Sequence, residues 1–196
     1  MSKERIRKIK ALAKREGIDM GSAASTYWLM EQMHNLGQMQ RQNILNKGDS
    51  AGIIRPGRFY FFAYSPKGRE EMPFYDRFPL VYVMNRQAGG KFLGVNFHYL
   101  QPRLRAWFIN ALLRYASDSE WYMTEDAFVK AVYPMFKTNK SLRFYKPTIK
   151  SYLKTHIVSK VVEVPPSDWK TVMFMPLERF AKMSSADVYK WSREQI

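Results

Sequence analysis

The sequence of 196 residues lacks cysteine and has only 17 acidic residues against 32 lysines and arginines. Without cysteine the chain has no disulfides, thiolate zinc sites, iron–sulfur ligands or cysteine nucleophile, and this composition fits a cytosolic product. Long apolar runs are also lacking, because the longest ones have the length of strands and not the ~20 residues of a membrane span. The basic N-terminal residues are not followed by an apolar stretch, which argues against a secretory signal. We therefore expect no membrane partner.

Recognisable catalytic motifs are missing as well. The sequence contains neither a glycine-rich phosphate loop nor a G-x-S-x-G nucleophile elbow. Its three histidines, His34, His98 and His156, have no partner at metal-ligand spacing. The triplet 168–170 (DWK) resembles the acid-x-Lys arrangement of metal-dependent nucleases, but the prolines and the serine before it favour the start of a helix or turn. We expect a non-catalytic protein with no catalytic residue, no metal site and no cofactor.

The apolar content is sufficient for a folded core. Hydrophobic residues make up 46% of the chain and aromatic residues 15%, which is typical of a globular protein with a large aromatic share. Several tyrosines stand near arginines and are candidates for stacking on single-stranded nucleic acid. The alternative, which we favour, is a β core with tyrosine hydroxyls at its rim.

The positive charge is unevenly distributed along the chain. The formal net charge is +15, and residues 77–117 and 127–162 contain basic side chains but no acidic one. Residues 1–15 add seven more basic side chains. Segregated basic charge is the electrostatic footprint expected of a protein that contacts DNA phosphates. A basic surface for an acidic protein partner, or a merely solvated basic surface, is the alternative.

Composition divides the chain into three parts. Residues 2–16 read as a basic amphipathic helix, and residues 27–46 as a second helix that is rich in methionine and glutamine. The segment 46–52 (NKGDSAG) has the composition of a linker. We therefore predict an N-terminal helical arm over 1–50, a core domain over 51–183 and a C-terminal helix over 184–196.

The core domain alternates between strand and helix patterns. Strands are predicted over 58–64, with both faces covered, over 78–84 and 91–99 with a Gly89-Gly90 hairpin turn, and over 158–164 and 171–175. Helices are predicted over 102–116, from Thr124, from Pro147, and from a cap at Ser184 or Ser185. The predicted fold is α+β: a small bent antiparallel sheet or SH3-like barrel with inserted helices, preceded by two N-terminal helices.

The candidate nucleic-acid contacts come from three basic segments. The first is the N-terminal helix, the second is the start of the helix over 102–116, and the third is the helix predicted from Pro147, on which three lysines would share one face. Their role would be to neutralise and position phosphates and not to read bases. These residues are Arg5, Lys8, Lys10, Arg103, Arg105, Lys146, Lys150 and Lys154.

Three aromatic blocks carry a resemblance to known proteins. The blocks 56–62 (PGRFYFF), 73–81 (PFYDRFPLV) and 92–100 (FLGVNFHYL) resemble small basic virion or DNA-handling proteins of T-even-like tailed bacteriophages. The entry strand and short hairpin are also similar to SH3-like barrels. The phage resemblance implies a virion component or a protein that handles phage DNA, located in the virion or the host cytoplasm.

The function expected from charge and resemblance together is non-catalytic DNA binding, at DNA ends or within the virion. Double-stranded DNA is favoured over single-stranded DNA as the partner. One alternative is a structural assembly subunit of a phage tail, baseplate or neck that contacts other phage structural proteins. A further alternative is a phage accessory protein that inhibits a host factor.

Overall fold

The computed structural model describes residues 3–19, 22–35, 45, 50–118, 145–165 and 168–195. Two predicted features, the second half of the methionine- and glutamine-rich helix and the helix from Thr124, lie outside these residues. In the described part the chain is α+β, as expected, with five α-helices and seven short strands. The helices are α1 (Lys3–Arg15), α2 (Ala23–Asn35), α3 (Pro102–Asp118), α4 (Trp169–Met173) and α5 (Ser185–Glu194). The strands are β1 (Phe59–Phe61), β2 (Tyr75–Asp76), β3 (Leu80–Gln87), β4 (Lys91–Asn96), β5 (Ile149–Leu153), β6 (Val162–Val164) and β7 (Phe180–Ala181).

Five strands form one antiparallel sheet in the order β5-β4-β3-β1-β6. Among the described residues the outer strands, β5 and β6, are not paired with each other, so the sheet alternative of the prediction is observed and the sheet is not closed into a barrel. The similarity to SH3-like barrels stays a prediction. Closing a sheet into a barrel requires strands long and tilted enough to bring the two edges together. Here β1 and β6 have only three residues each, and β2 pairs with β7 in a separate ribbon.

Strand β1 lies at the centre of the core. Its Phe59 and Phe61 point into one apolar cluster, which includes residues of α1, α2, α3 and α4, whereas Tyr60 lies in a second cluster on the other side of the sheet. All three side chains are fully buried. The prediction that both faces of this strand are covered is therefore confirmed.

Local sequence signals placed three features correctly. The glycines at 89 and 90 have φ angles of +69° and +70° and join β3 to β4, as a tight hairpin turn requires. Helix α3 starts at Pro102, where the missing N–H costs no helical hydrogen bond. Helix α5 is capped by Ser184, whose hydroxyl accepts from the N–H of Asp187 at 3.2 Å.

Two predicted elements are wrong. The segment from Pro147 was expected to be helical, but residues 149–153 form β5 and pair along β4, with Leu153 opposite Lys91. Residues 171–175 were expected to form a strand, but α4 covers Trp169–Met173 and buries Val172 and Met173 in the main core. Short apolar runs fit a buried strand and a buried helix equally well, so long-range packing decides between them.

The N-terminal segment is folded against the core. Helix α2 packs on α3 and α4, and Thr26 donates a 2.6 Å hydrogen bond to the side chain of Asn110. The division of the chain at residues 50 and 183 stays a prediction. No helix in the described ranges is long and apolar enough to cross a membrane.

Candidate nucleic-acid interface

Arg105, one of the predicted phosphate contacts, lies inside the protein. Its side chain is 1% exposed, and its guanidinium donates to the carbonyl of Leu100 at 2.8 Å and to that of Met173 at 3.2 Å. The same group donates to a carboxylate oxygen of Glu178 at 2.6 Å and to the hydroxyl of Tyr189 at 2.9 Å. This side chain is therefore unsuited to the surface contact predicted for it, because its donors are used within the fold.

The charge of Arg105 is balanced inside the protein by Glu178. Burial alone would raise the pKa of Glu178, but the attraction of Arg105, helped by His98 and by the hydroxyl of Tyr189, outweighs it and lowers this pKa to about 2. The pair therefore stays ionised, and its two charges cancel where α3 and α5 meet the core.

The three lysines predicted to share a helix face are separated by the strand that replaces the helix. Lys146 precedes β5, Lys150 lies within it, and Lys154 begins the 3-10 turn after it. Both end lysines are exposed, whereas Lys150 is half-buried over the rings of Tyr99 and Trp191, at 4.6 and 5.4 Å from their centroids.

The remaining predicted residues lie on other parts of the surface. Lys8 and Lys10 are exposed on α1, and the ammonium of Lys10 forms a 3.0 Å ion pair with Asp168. Arg5 lies in the same helix, and its side chain is outside the described part of the structure. Arg103 is exposed in the first turn of α3. Because Arg105 is buried, the eight predicted residues cannot all belong to one exposed surface.

The nuclease-like triplet 168–170 has a structural role. Lys170 is buried and donates to the carbonyl of Ser22 at 2.7 Å and to the hydroxyl of Ser25 at 3.0 Å, which fastens α2 to α4. Asp168 faces Lys10 instead of a second carboxylate. Within the described residues no group of three histidine, aspartate or glutamate side chains could hold a metal ion.

A basic cleft forms where β2 pairs with β7. We call it the arginine cleft, and it has a volume of about 560 Å³. The N–H of Arg77 donates to the carbonyl of Arg179 at 2.8 Å, so the pairing holds these two exposed residues side by side although they are far apart in sequence. Its charged lining residues are Arg69, Glu70, Arg77, Arg179 and Lys182.

Lys182 fixes one wall of the arginine cleft. It has a φ of +65°, a left-handed conformation that few residues other than glycine adopt. Its ammonium donates to the carbonyls of Arg69, Glu70 and Met72 at 3.1, 2.7 and 3.0 Å. These three hydrogen bonds hold the loop before β2 against the residues after β7 and so stabilise the shape of the cleft. They also offset the unfavourable backbone conformation of Lys182.

A second cavity of about 370 Å³ adjoins the arginine cleft and shares Tyr64 and Tyr75 with it. We call it the aromatic cleft. Besides these tyrosines its walls include Phe74, Tyr99, Tyr152 and Trp191, and its basic residues are Lys67 and Lys150. Asp76 also lines it.

The carboxylate of Asp76 is engaged by its own surroundings. It accepts from the N–H of Phe78 at 2.9 Å and from the amide of Asn96 at 3.2 Å, and it pairs with Nδ1 of His98 at 2.8 Å. Together the two clefts are lined by six basic and two acidic residues. The joined surface therefore presents mainly positive charge, and Asp76 is itself buried.

Sequence reasoning missed most of this surface. Lys67, Arg69, Arg179 and Lys182 stand outside the acid-free tracts, and Arg77 was one arginine among many in such a tract. Two-residue strands leave no alternating pattern, so no sequence signal could have shown that β2 pairs with β7.

Comparison with known proteins supplies the identity of the chain. No curated protein and no solved structure matches it. The family model of the Phage T4 terminal DNA protecting protein matches residues 6–193, nearly the whole chain. This match confirms the resemblance to DNA-handling proteins of T-even-like phages, and the family description implies DNA as a partner. The protein therefore belongs to the family of the phage T4 terminal DNA protecting protein.

Proposed function

We propose that the protein binds the ends of double-stranded phage DNA without catalysing a reaction and thereby shields them from nucleases. The observation that carries this proposal is the arginine cleft together with the adjoining aromatic cleft. Six basic side chains line the two clefts, and the buried Asp76 in the wall of the aromatic cleft is paired with His98. The family description as a terminal DNA protecting protein supports the same reading.

The side chains of the arginine cleft suit a phosphate backbone. Guanidinium groups bind phosphate oxygens in bidentate fashion, and Arg77 and Arg179 are both exposed and held side by side. Arg69 is steadied by its 3.0 Å hydrogen bond to the hydroxyl of Ser65. Such contacts position a duplex without reading its sequence, which fits a protein that must act on any end.

Protection by binding alone requires that the bound protein occupies the end for longer than a nuclease needs to attack. Affinity differences among related complexes lie mostly in the dissociation rate, so several phosphate contacts lengthen protection. We place this action in the virion or in the cytoplasm of the infected host, where phage DNA is present. The assembly subunit and the inhibitor of a host factor stay predictions that no feature of the described residues favours.

The test measures binding to a blunt 30-base-pair duplex over a range of salt concentrations. The affinity is expected to fall linearly with log salt, and Arg77→Ala with Arg179→Ala is expected to reduce the slope by about 1.8, the loss of two phosphate contacts. The matched variant Lys8→Ala with Arg103→Ala removes the same amount of charge from α1 and α3, where the sequence predicted phosphate contacts. Linear duplex should also survive an exonuclease longer with the wild-type protein than with the cleft variant.

Three results would overturn the proposal. Absence of duplex binding at low salt would exclude the DNA contact itself. A slope that changes in the matched variant but not in the cleft variant would move the site to the N-terminal helix and α3. Binding without any delay of exonuclease digestion would exclude protection.

A further inference from the structure

We propose that the aromatic cleft receives one unpaired nucleotide at the DNA terminus, with its base against the aromatic walls and its phosphate near Lys150. This inference rests on the proposed function, because it gives the same surface a means of distinguishing an end from internal duplex.

The size of the aromatic cleft suits a small ligand. Its volume of about 370 Å³ lies at the lower end of the ~300–1,000 Å³ typical of small-molecule sites. A mononucleotide belongs to this size class, whereas a base-paired duplex is far wider. Apolar walls with a few polar groups that fix orientation are also typical of such sites.

The ammonium of Lys150 is suited to bind an anion in the aromatic cleft. Among the described residues, no carboxylate is within ion-pairing distance of its ammonium. The ammonium instead lies over the rings of Tyr99 and Trp191. Burial lowers the pKa of Lys150, which means that the charged form lacks compensation in the free protein. A phosphate in the cleft would supply it, and the exposed Lys67 at the same cavity adds a second cation.

The walls of the cavity suit a nucleobase. Tyr75 and Trp191 are only half-buried, so part of each side chain is left uncovered in the free protein. Trp191 is held in place by an edge-to-face contact with Phe74 at 5.1 Å. Aromatic platforms stack on any base because every base has a π face, so they do not require a particular terminal sequence.

The position of the cleft favours a terminal nucleotide. Tyr64 and Tyr75 belong to both cavities, so a strand that runs along the arginine cleft can continue directly into the aromatic cleft. A base within a duplex would have to leave its stack and its partner to enter, which is energetically unfavourable, but an unpaired terminal base has no such partner.

The experiment compares three duplexes with the intact protein: blunt, with a one-nucleotide overhang, and with the same overhang carrying an abasic sugar. Loss of the base is expected to weaken binding by roughly 5- to 150-fold, the range of stacking on an aromatic side chain. 2-Aminopurine at the overhang is expected to change its fluorescence on binding, and 2-aminopurine in the middle of the duplex is not. Overhangs at the 5′ and 3′ ends are measured separately, and success with either one supports the proposal.

Lys150→Met tests the cation while keeping an apolar side chain over the rings. It is expected to abolish the preference for the overhang over the blunt duplex, measured as the ratio of the two dissociation constants of the same variant. Lys91→Met, an exposed lysine on the neighbouring strand β4, is the matched control and should keep the preference. Blunt binding without any effect of the base or of Lys150 would overturn the nucleotide pocket alone. Absence of binding to all three duplexes would instead overturn the proposed function.

Discussion

Replacing Glu178 by glutamine is expected to destabilise the fold, because it leaves the buried guanidinium of Arg105 without its counter-charge. The two side chains are 2.6 Å apart, and they are 12% and 1% exposed, so water can replace little of the lost interaction. Removing one partner of a buried ion pair costs about 3–5 kcal/mol, since the other charge stays buried. Glutamine keeps one acceptor for Arg105 and Tyr189, which places the expected loss near ~3 kcal/mol.

The pKa of Glu178 leads to a similar magnitude and fixes its pH dependence. A fall from the ordinary value of 4.5 to about 2 in the folded protein corresponds to ~3 kcal/mol of stability at neutral pH, at about 1.4 kcal/mol per pKa unit. The folded pKa lies below the unfolded one, so this stabilisation is complete above pH 4.5 and is lost as the pH falls from there toward 2. The difference between wild type and Glu178→Gln should therefore shrink over this interval.

The assay is unfolding in urea at pH 7, 4 and 3, monitored by tryptophan fluorescence, with thermal unfolding at pH 7 as a second measurement. A loss of ~3 kcal/mol corresponds to a melting temperature lower by about 6–12 °C for a chain of this size. Glu70→Gln is the matched control, because Glu70 forms an exposed 3.0 Å ion pair with Arg69, and such pairs contribute below about 1 kcal/mol. A Glu178→Gln variant as stable as wild type at pH 7, or a difference that does not shrink below pH 4, would refute the reasoning.

Two further predictions concern the sheet and the last helix. Gly94→Ala should destabilise the protein by about 2 kcal/mol or more, because the new Cβ would lie 2.3 Å from Cγ1 of Val81 and 2.9 Å from the carbonyl of Tyr82; an unchanged urea midpoint would contradict this packing. Ser184→Ala should cost about 1 kcal/mol in thermal unfolding through loss of the cap on the N–H of Asp187. Ser185→Ala, one residue further on, should cost less, and equal losses would show that Ser184 is not the cap.

The parts of the fold that sequence predicted well depend on local interactions. The turn at Gly89-Gly90, the start of α3 and the cap of α5 each need only a few neighbouring residues. Strand β5 could not be found in this way, because lysines at positions 146, 150 and 154 have the spacing of a helix face. Pairing with β4, more than fifty residues earlier, determines the strand instead. Propensity is a weak guide where such tertiary contacts compete with it.

Arg105 shows that a basic residue in an acid-free tract need not face solvent. It stands beside Leu104 and four residues before Ile109, which places it at the edge of the apolar face of α3, and this spacing was the signal that could have revealed its burial. Its acidic partner, Glu178, is more than seventy residues away, so no local sequence pattern links the two residues. A count of basic residues along the chain therefore overestimates the surface charge of the tract that contains Arg105. The same count overlooks exposed basic residues outside the tracts, such as Arg179.

The same buried pair strengthens the surface that we propose for DNA. Glu178 directly precedes Arg179, and in the sequence the two read as a neutral pair outside the basic tracts. In the structure Glu178 is turned inward against Arg105, whereas Arg179 is exposed in the arginine cleft beside Arg77. Because Arg105 satisfies Glu178 in the interior, little negative charge is left to offset Arg179 at the surface. If the cleft binds phosphate as we propose, the buried arginine contributes to that binding without touching DNA, because it neutralises an acid next to the cleft.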